Sequence, residues 1–248
     1  VPSENRRPAY PAVRDLAPGE HEELVRRLFA RVPRGYDFLN RLLSLRRDVA
    51  WRRAMVKAMG LAGTPRVLDA AAGTGDVGVE VCLACPGATV AAVDFVPEML
   101  LPSRAKFRKA GIAERARPLL GDAMRLPFPP GTFDAATVAF GIRNMPDRAA
   151  AMREIGRTLK PGAGLFVLEM VPPENALYRF YLTRLLPLLA RRFTPDPAAY
   201  RYLADSILMF PQPDAFLAEM VAAGFSGPRK RRLTFGITYL FWGHKIQS

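Results

Sequence analysis

Apolar positions change their spacing twice along the chain, and the changes divide it into three stretches. From Glu20 to Met59 the pattern is helical, with Leu24, Leu28, Leu39, Leu42, Leu43, Leu45 and Trp51 set among many arginines and interrupted at Pro33 and Gly35. After "GLAGTP" short β-type runs begin: "RVLDAA", "TVAAVDF", "RPLLGD", "FDAATVAF" and "GLFVLEMV". Between them lie helix-length segments at Val77 to Ala84, Pro97 to Ala110 and Asp147 to Leu159, with Pro97 suited to a first helical turn and "KPGAG" reading as a helix stop and turn. Such alternation predicts a parallel sheet covered by helices on both faces. From Pro172 to Pro213 the pattern is helical again, and a further helix from Asp214 to Ala223 closes at Gly224. The stretch "RRLTFGITYLFWGHK" then reads as two final strands, antiparallel at or near the sheet edge. Residues 1 to 19, polar and proline-rich, read as a loose tail.

The first β-type run leads into "RVLDAAAGTGDVGVE", whose Gly73, Gly75 and Gly78 spell G-x-G-x-x-G, with Asp94 at about the distance where a dinucleotide site keeps its ribose-binding acid. A pyrophosphate would sit on the N-terminus of the following helix, a place that favours negative charge. Here Asp69 ends the strand and Asp76 starts that helix, so two carboxylates crowd the spot. A cationic ligand fits better. S-adenosylmethionine, with its ammonium and sulfonium, meets that requirement. Asp69 would face its amino-acid end, the backbone of Gly73, Thr74 and Gly75 would allow close approach, and Asp94 would accept from the ribose hydroxyls. Asp122 and Ala123 of "GDA" would meet the adenine edge, which places three acids at three successive strand ends, where open α/β sheets bind ligands. The plainer reading is structural, since a lone glycine loop is a weak signal and strand-end aspartates often cap helices.

Composition narrows the class further. The chain has 248 residues, half of them hydrophobic, which is enough to bury a sizeable core. Two cysteines and two histidines leave little room for a disulfide framework or a zinc site, so no metal is expected and a reducing cytoplasm fits. No run of eighteen apolar residues occurs, and the N-terminal stretch lacks a signal-peptide core. The formal charge of +13 favours anionic partners, whether phosphate, nucleic acid or an acidic membrane surface. Against nucleic acid, and so against an RNA methyltransferase, the basic residues are spread along the chain with no aromatic-basic motif.

From Val25 to Lys245 the sequence resembles the ubiquinone and menaquinone biosynthesis C-methyltransferases, the UbiE/MenG family. The likeness is carried by "YDFLNRLLSLRRDVAW" with Tyr36, Asp37, Asn40, Ser44 and Trp51, by "LDAAAGTGD", and by "AFGIRNMPD". It continues through "RTLKPGAGLFVLEM", "AYRYLADSI" and "LTFGI". The resemblance implies an α/β, Rossmann-like class I methyltransferase fold: a mostly parallel seven-stranded sheet, helices on both faces and a helical N-terminal lid. It implies one methyltransferase domain over 20–248, divided into a cap (20–60), a donor-binding core (64–171), a lid insertion (172–211) and a C-terminal helix and strands (212–248). The activity implied is methylation of a ring carbon on a polyprenylated quinol, demethylmenaquinol first, with S-adenosylmethionine as donor. A related enzyme acting on another small hydrophobic phenol or lipid is the alternative. Donor contacts fall on Thr74, Asp94, Asp122 and Ala123, with Ala139 where some members place a serine. The chain departs from the family at Asp48, often a histidine, and at Ala163, Val171 and Phe241; these changes leave the donor site intact and bear on the acceptor.

Carbon methylation of a phenol needs its hydroxyl to lose or share a proton. His21 and His244 lie outside the motifs, so no histidine is expected near the site. The candidates are a water held by Arg143 and Asn144, or Tyr36 or Asp37 of the lid, with in-line positioning supplying much of the rate. Each has a structural alternative: an ion pair for Arg143, a turn for Asn144, packing for Tyr36. The segment "ALYRFYLTRLLPLLARRF" mixes apolar residues with Arg179, Arg184, Arg191 and Arg192; it reads as a covering helix pair broken at Pro187, with peripheral contact to an acidic membrane as a second role. "RKRR" at 229–232 reads as solvated turn or edge-strand charge that discourages edge pairing, and "CLAC", Cys82 to Cys85, as buried small residues. The partners expected are a hydrophobic quinol and an acidic membrane surface, with a homodimer left open.

Overall fold

The computed structural model of the chain describes residues 18–30, 47–185, 188 and 197–247. Helix α1 (Pro18–Ala30) and helix α2 (Arg47–Met59) precede the sheet. Strands β1 (Arg66–Ala70), β2 (Thr89–Asp94) and β3 (Ala116–Leu120) alternate with helices α3 (Asp76–Ala84) and α4 (Pro97–Lys109). Strand β4 (Phe133–Ala139), helix α5 (Arg148–Thr158) and strand β5 (Leu159–Met170) follow. Helices α6 (Ala176–Phe180), α7 (Pro197–Met209) and α8 (Pro213–Ala222) lead to strands β6 (Phe225–Leu233) and β7 (Thr238–Lys245). The seven strands form one sheet in the order β3-β2-β1-β4-β5-β7-β6. The first five in that order are parallel, β7 runs antiparallel to β5, and β6 runs antiparallel to β7.

Both faces of the sheet are buried, which is why its strands read as apolar runs instead of alternating ones. Leu68, Val138, Leu165, Val167 and Phe241 point to one face, where they pack with Met152 and Ile155 of α5 and Phe216 and Met220 of α8. Their strand neighbours Val67, Val90, Phe166, Leu168 and Leu240 point to the other, against Trp51 and Met55 of α2, Val77 and Val81 of α3, and Phe107 of α4. Cys82 and Cys85 are buried free thiols in and just after the last turn of α3, and burial pushes the Cys82 thiol up. Val171 and Phe241 are fully buried in the first of these cores.

Two expectations need correction. "KPGAG" does not leave the sheet: α5 ends at Thr158, and β5 begins at Leu159, pairs with Phe133, and resumes at Gly164 opposite Ala135 after an irregularity. Gly162, at φ +75°, absorbs that irregularity. Strand β6 starts at Phe225, well before "RRLTFGI"; it lies at one edge of the sheet with β7 between it and β5, antiparallel as expected. Of the two readings of "RKRR", turn and edge strand, the second holds: Arg229–Arg232 lie on β6. The breaks at Pro33, Gly35 and Pro187, and most of the tail, lie outside the described residues.

At the start of α3, Gly75 adopts φ +82°, and a Cβ there would come within 2.6 Å of the Phe107 ring. Gly75→Ala combines left-handed strain with overpacking and should lower stability by about 2 kcal/mol or more. Denaturant unfolding measures this; an unchanged midpoint would show that the loop and Phe107 yield without cost.

Candidate active site

The C-terminal ends of β1, β2, β3 and β4 open into a single cavity, the place where the crossovers of a parallel sheet diverge. The β1–α3 loop contributes Ala71, Ala72, Gly73 and Thr74, and α3 contributes Asp76 and Val77. Asp94, Phe95, Val96 and Met99 line it from β2 and α4, and Gly121 to Met124 from the end of β3. The segment after β4 adds Ala139, Phe140, Gly141, Asn144, Met145 and Pro146. Helices α1 and α2 close the remaining side with Glu22, Val25, Asp48 and Arg52.

Backbone shape at the rim is unusual. Ala71 and Phe140 both adopt left-handed φ, 55° and 58°, one after β1 and the other after β4. A side chain at Gly141 would collide with the Ala71 Cβ, at 2.5 Å, so the two strand ends meet only because Gly141 lacks one. Non-glycine residues in this region carry strain and cluster at functional sites. The Phe140 ring packs against Trp51 of α2, whose indole N–H donates to Thr234 Oγ1 at 2.7 Å.

Asp94 binds two loops with one carboxylate. Its Oδ2 accepts the Gly73 N–H at 2.7 Å, which holds Gly73 at φ +56°, and its Oδ1 accepts the Val96 N–H at 2.9 Å at the start of α4. Burial pushes the Asp94 carboxyl above the usual carboxylate range against the pull of these N–H groups. Thr74 Oγ1 accepts from Lys106 Nζ at 2.8 Å, and Lys106 also pairs with Asp76. Asp122 Oδ1 accepts the Met124 N–H at 2.8 Å, and Ala123 is buried beside it. Of the residues expected at a donor site, Gly73, Thr74, Asp94, Asp122, Ala123 and Ala139 all line the cavity.

Asp69 and Gly75 do not. Asp69 lies beneath the loop, 1% exposed, with Oδ1 accepting from Thr137 Oγ1 at 2.9 Å and Oδ2 buried with no hydrogen-bond partner among the described residues. Desolvation, opposed chiefly by the Thr137 hydrogen bond, pushes its carboxyl up to about 7. Gly75 serves the turn into α3. Arg143 also stays out of the lining: it is buried, its Nη1 donates to Glu169 Oε1 at 2.5 Å and to the Phe140 carbonyl at 2.8 Å, and Glu169 is completely buried. Asn144, its neighbour, does line the cavity. Tyr36 and Asp37 lie outside the described residues.

The expectation that no histidine approaches the site is overturned. His21 Nε2 is 3.2 Å from the Tyr202 hydroxyl, and that hydroxyl donates to Asn144 Oδ1 at 3.2 Å. Burial pushes the His21 imidazole down and the Tyr202 phenol up. Sequence reasoning also missed Glu22, Asp48 and Arg52 as lining residues. Only the Asp48-x-x-x-Arg52 spacing, one turn on a helix face, could have suggested the last two.

The model of the ubiE/COQ5 methyltransferase family matches residues 18–245. The chain belongs to that family. This methyltransferase is 43% identical to the demethylmenaquinone methyltransferase of Thermus thermophilus, over 88% of its own length and 100% of that relative. It is 40% identical to the ubiquinone/menaquinone biosynthesis C-methyltransferase UbiE of a Geobacter species, over 91% of the chain and 98% of the relative. Among solved structures, a SAM-dependent methyltransferase from Aquifex aeolicus matches with TM-score 0.57 at 19% identity, covering 79% of this chain and 89% of that one. The [4+2]-cyclase SpnF matches with TM-score 0.63 at 18% identity, covering 81% of each chain. At these identities the likeness is one of fold alone.

Because the folded-state carboxyl of Asp69 sits near 7 and the unfolded one near 3.8, the native methyltransferase holds a proton that the unfolded chain has lost across that interval. Stability from this group is therefore present below the unfolded value and falls as pH rises through about 7. Asp69→Asn should raise the melting temperature at pH 8, corresponding to at most about 4 kcal/mol, and the gain should vanish toward pH 4. Thermal unfolding of both proteins across that range checks it; parallel curves would remove the buried charge from the account.

Proposed function

We propose that this methyltransferase transfers the methyl group of S-adenosylmethionine to a ring carbon of a prenylated quinol, with demethylmenaquinol as the acceptor tested first. One observation supports the donor above others. In a chain of formal charge +13, the cavity is lined by five carboxylates, Glu22, Asp48, Asp76, Asp94 and Asp122, and one cation, Arg52. Such a lining favours a cationic ligand and disfavours a pyrophosphate. The lining residues also fit the donor's other parts: the Asp94 carboxylate has lone pairs to offer ribose hydroxyls besides its backbone bonds, and the Ala123 backbone adjoins Asp122 where an adenine edge would lie. The acceptor reading rests on the names carried by the Thermus and Geobacter relatives.

When bound, S-adenosylmethionine supplies an electrophilic methyl on a sulfonium. The chain's own part is to exclude water, hold the acceptor ring in line, and stabilise a phenolate oxygen. Asn144 is the polar side chain beside the β4 end suited to the last task. With Oδ1 held by Tyr202, its Nδ2 is left to donate to the acceptor's oxygen. Arg143, paired to Glu169 and to the Phe140 carbonyl, acts by fixing the turn that presents Asn144.

An acceptor with an isoprenoid tail comes from a membrane, and α6 offers a surface to meet one. Tyr178 and Leu182 pack inward with Ile207 of α7, while Leu177 and Phe180 on the other side are 79% and 58% exposed, flanked by Arg179. Among the described residues no helix is long and apolar enough to cross a membrane, so contact would be peripheral.

Labelled methyl transfer to reduced, short-tailed demethylmenaquinol and to the benzoquinol precursor of ubiquinone tests the reaction; transfer to the first is expected, and transfer to neither would overturn the acceptor. Asp94→Ala should weaken donor binding in calorimetry by about tenfold or more, the loss of one charge-assisted contact. Co-sedimentation with phosphatidylglycerol-containing vesicles should fall when Leu177 and Phe180 are both changed to glutamate. Equal sedimentation of the two proteins would place the membrane contact elsewhere.

A further inference from the structure

Helix α2 brings two opposite charges to the cavity wall one turn apart. Arg52 Nη2 lies 2.6 Å from Asp48 Oδ2 and 3.0 Å from Asp76 Oδ2, and all three side chains line the cavity. Asp76 is paired a second time, to Lys106 of α4, and Lys106 in turn donates to Thr74 of the glycine loop. The arginine side chain is 10% exposed and that of Asp48 7%, so these charges sit where water screens them little. An ion pair that did no more than hold α2 against α3 would not need to face a cavity.

We propose that Asp48 and Arg52 read the amino-acid end of S-adenosylmethionine, the Arg52 guanidinium taking its carboxylate and Asp48 its ammonium. This assignment rests on that molecule being the donor. The donor's amino-acid end is itself a pair of opposite charges on one carbon, and the Asp48–Arg52 pair is its complement. Arg52 approaches both aspartates through Nη2, and the five N–H donors of a guanidinium let it serve more than one anion at once. Connectivity agrees as well: Gly73 of the loop is held by Asp94, while the next residue, Thr74, is linked through Lys106 and Asp76 to Arg52. The sequence alone pointed to Asp69 for this role, but Asp69 is sealed beneath the loop. A donor bound this way spans from the sheet to α2, so its amino-acid end fastens the lid helix that carries Trp51 against Phe140.

Decarboxylated S-adenosylmethionine, which keeps the sulfonium and an ammonium and lacks only the carboxylate, separates recognition from folding. Calorimetry on the full chain should show Arg52→Met binding S-adenosylmethionine about tenfold to a hundredfold more weakly than wild type, the range for a charge-assisted contact. Its affinity for the decarboxylated donor should stay within about threefold of the wild-type value, and Arg52→Lys should fall between. If both ligands lose affinity equally, or neither does, Arg52 is a structural ion-pair residue and the proposal fails. Should Arg52→Met fail to fold, Asp48→Asn/Arg52→Met set against Asp48→Asn alone carries the comparison: both variants lose the ammonium contact, and the further loss in the double variant should fall on S-adenosylmethionine and spare the decarboxylated donor. Wild-type protein that binds neither ligand would instead overturn the choice of donor.

Discussion

The Asp94 carboxylate is the constraint on which the site's geometry depends. Parallel strands bring their C-terminal ends together but leave the following loops free to diverge, and divergence is what makes a cavity. By accepting the N–H of Gly73 from one loop and of Val96 from the next, Asp94 fixes how far β1 and β2 part. The same acceptance satisfies a backbone donor at the start of α4, where Pro97 has none to offer. Gly73 is held in a left-handed conformation that turns the chain away from the space below. Across the cavity, the absent side chain of Gly141 lets the β4 end approach Ala71. Width on one side and closeness on the other are thus set by two residues, and the remaining lining groups inherit their positions.

Charge is distributed against the average of the chain. A strongly basic protein gathers acids at one opening, and each is treated differently by its surroundings. Asp94 and Asp122 spend part of their capacity on backbone N–H groups, Asp48 and Asp76 on Arg52, and Asp69 is sealed away with a raised carboxyl. An ionised Asp69 beneath the loop would strengthen the negative potential of the opening, so a cationic ligand and the loss of its proton favour each other. The buried group is therefore coupled to the site electrostatically even though it does not line it.

Most of the architecture was legible because its physics is local. A strand buried on both faces must be apolar along its length, and β1, β2, β4 and most of β5 announce themselves that way. Strand β6 did not, since "SGPRKRR" lies at an exposed edge where pairing with β7 alone makes it a strand. "KPGAG" misled for the opposite reason: its turn chemistry is genuine, but pairing of Leu159 with Phe133 absorbs the turn as an irregularity within β5. The strand-end acids and glycines of the cavity were readable from their positions after apolar runs. Contacts between distant segments were not. Arg52 meets Asp76 across an intervening strand, and His21 meets Tyr202 across 181 positions, distances over which no spacing rule operates.

The segment "FGIRN" shows how a motif can be specific without each of its residues touching a ligand. Phe140 occupies a strained conformation, and a strained residue persists only where its surroundings over-determine it. Arg143 supplies that determination by donating to the Phe140 carbonyl while its charge is matched by fully buried Glu169. Replacing such a pair by apolar residues can leave stability unharmed, whereas removing one partner strands a charge and costs about 3–5 kcal/mol. What the pair supplies is therefore direction: it fixes the turn so that Gly141 meets Ala71 and Asn144 faces the cavity, with Tyr202 holding the amide from behind. A buried arginine in an active-site motif is then read best by what it holds still, and loss of activity on its removal would report the position of Asn144 before any chemistry of its own.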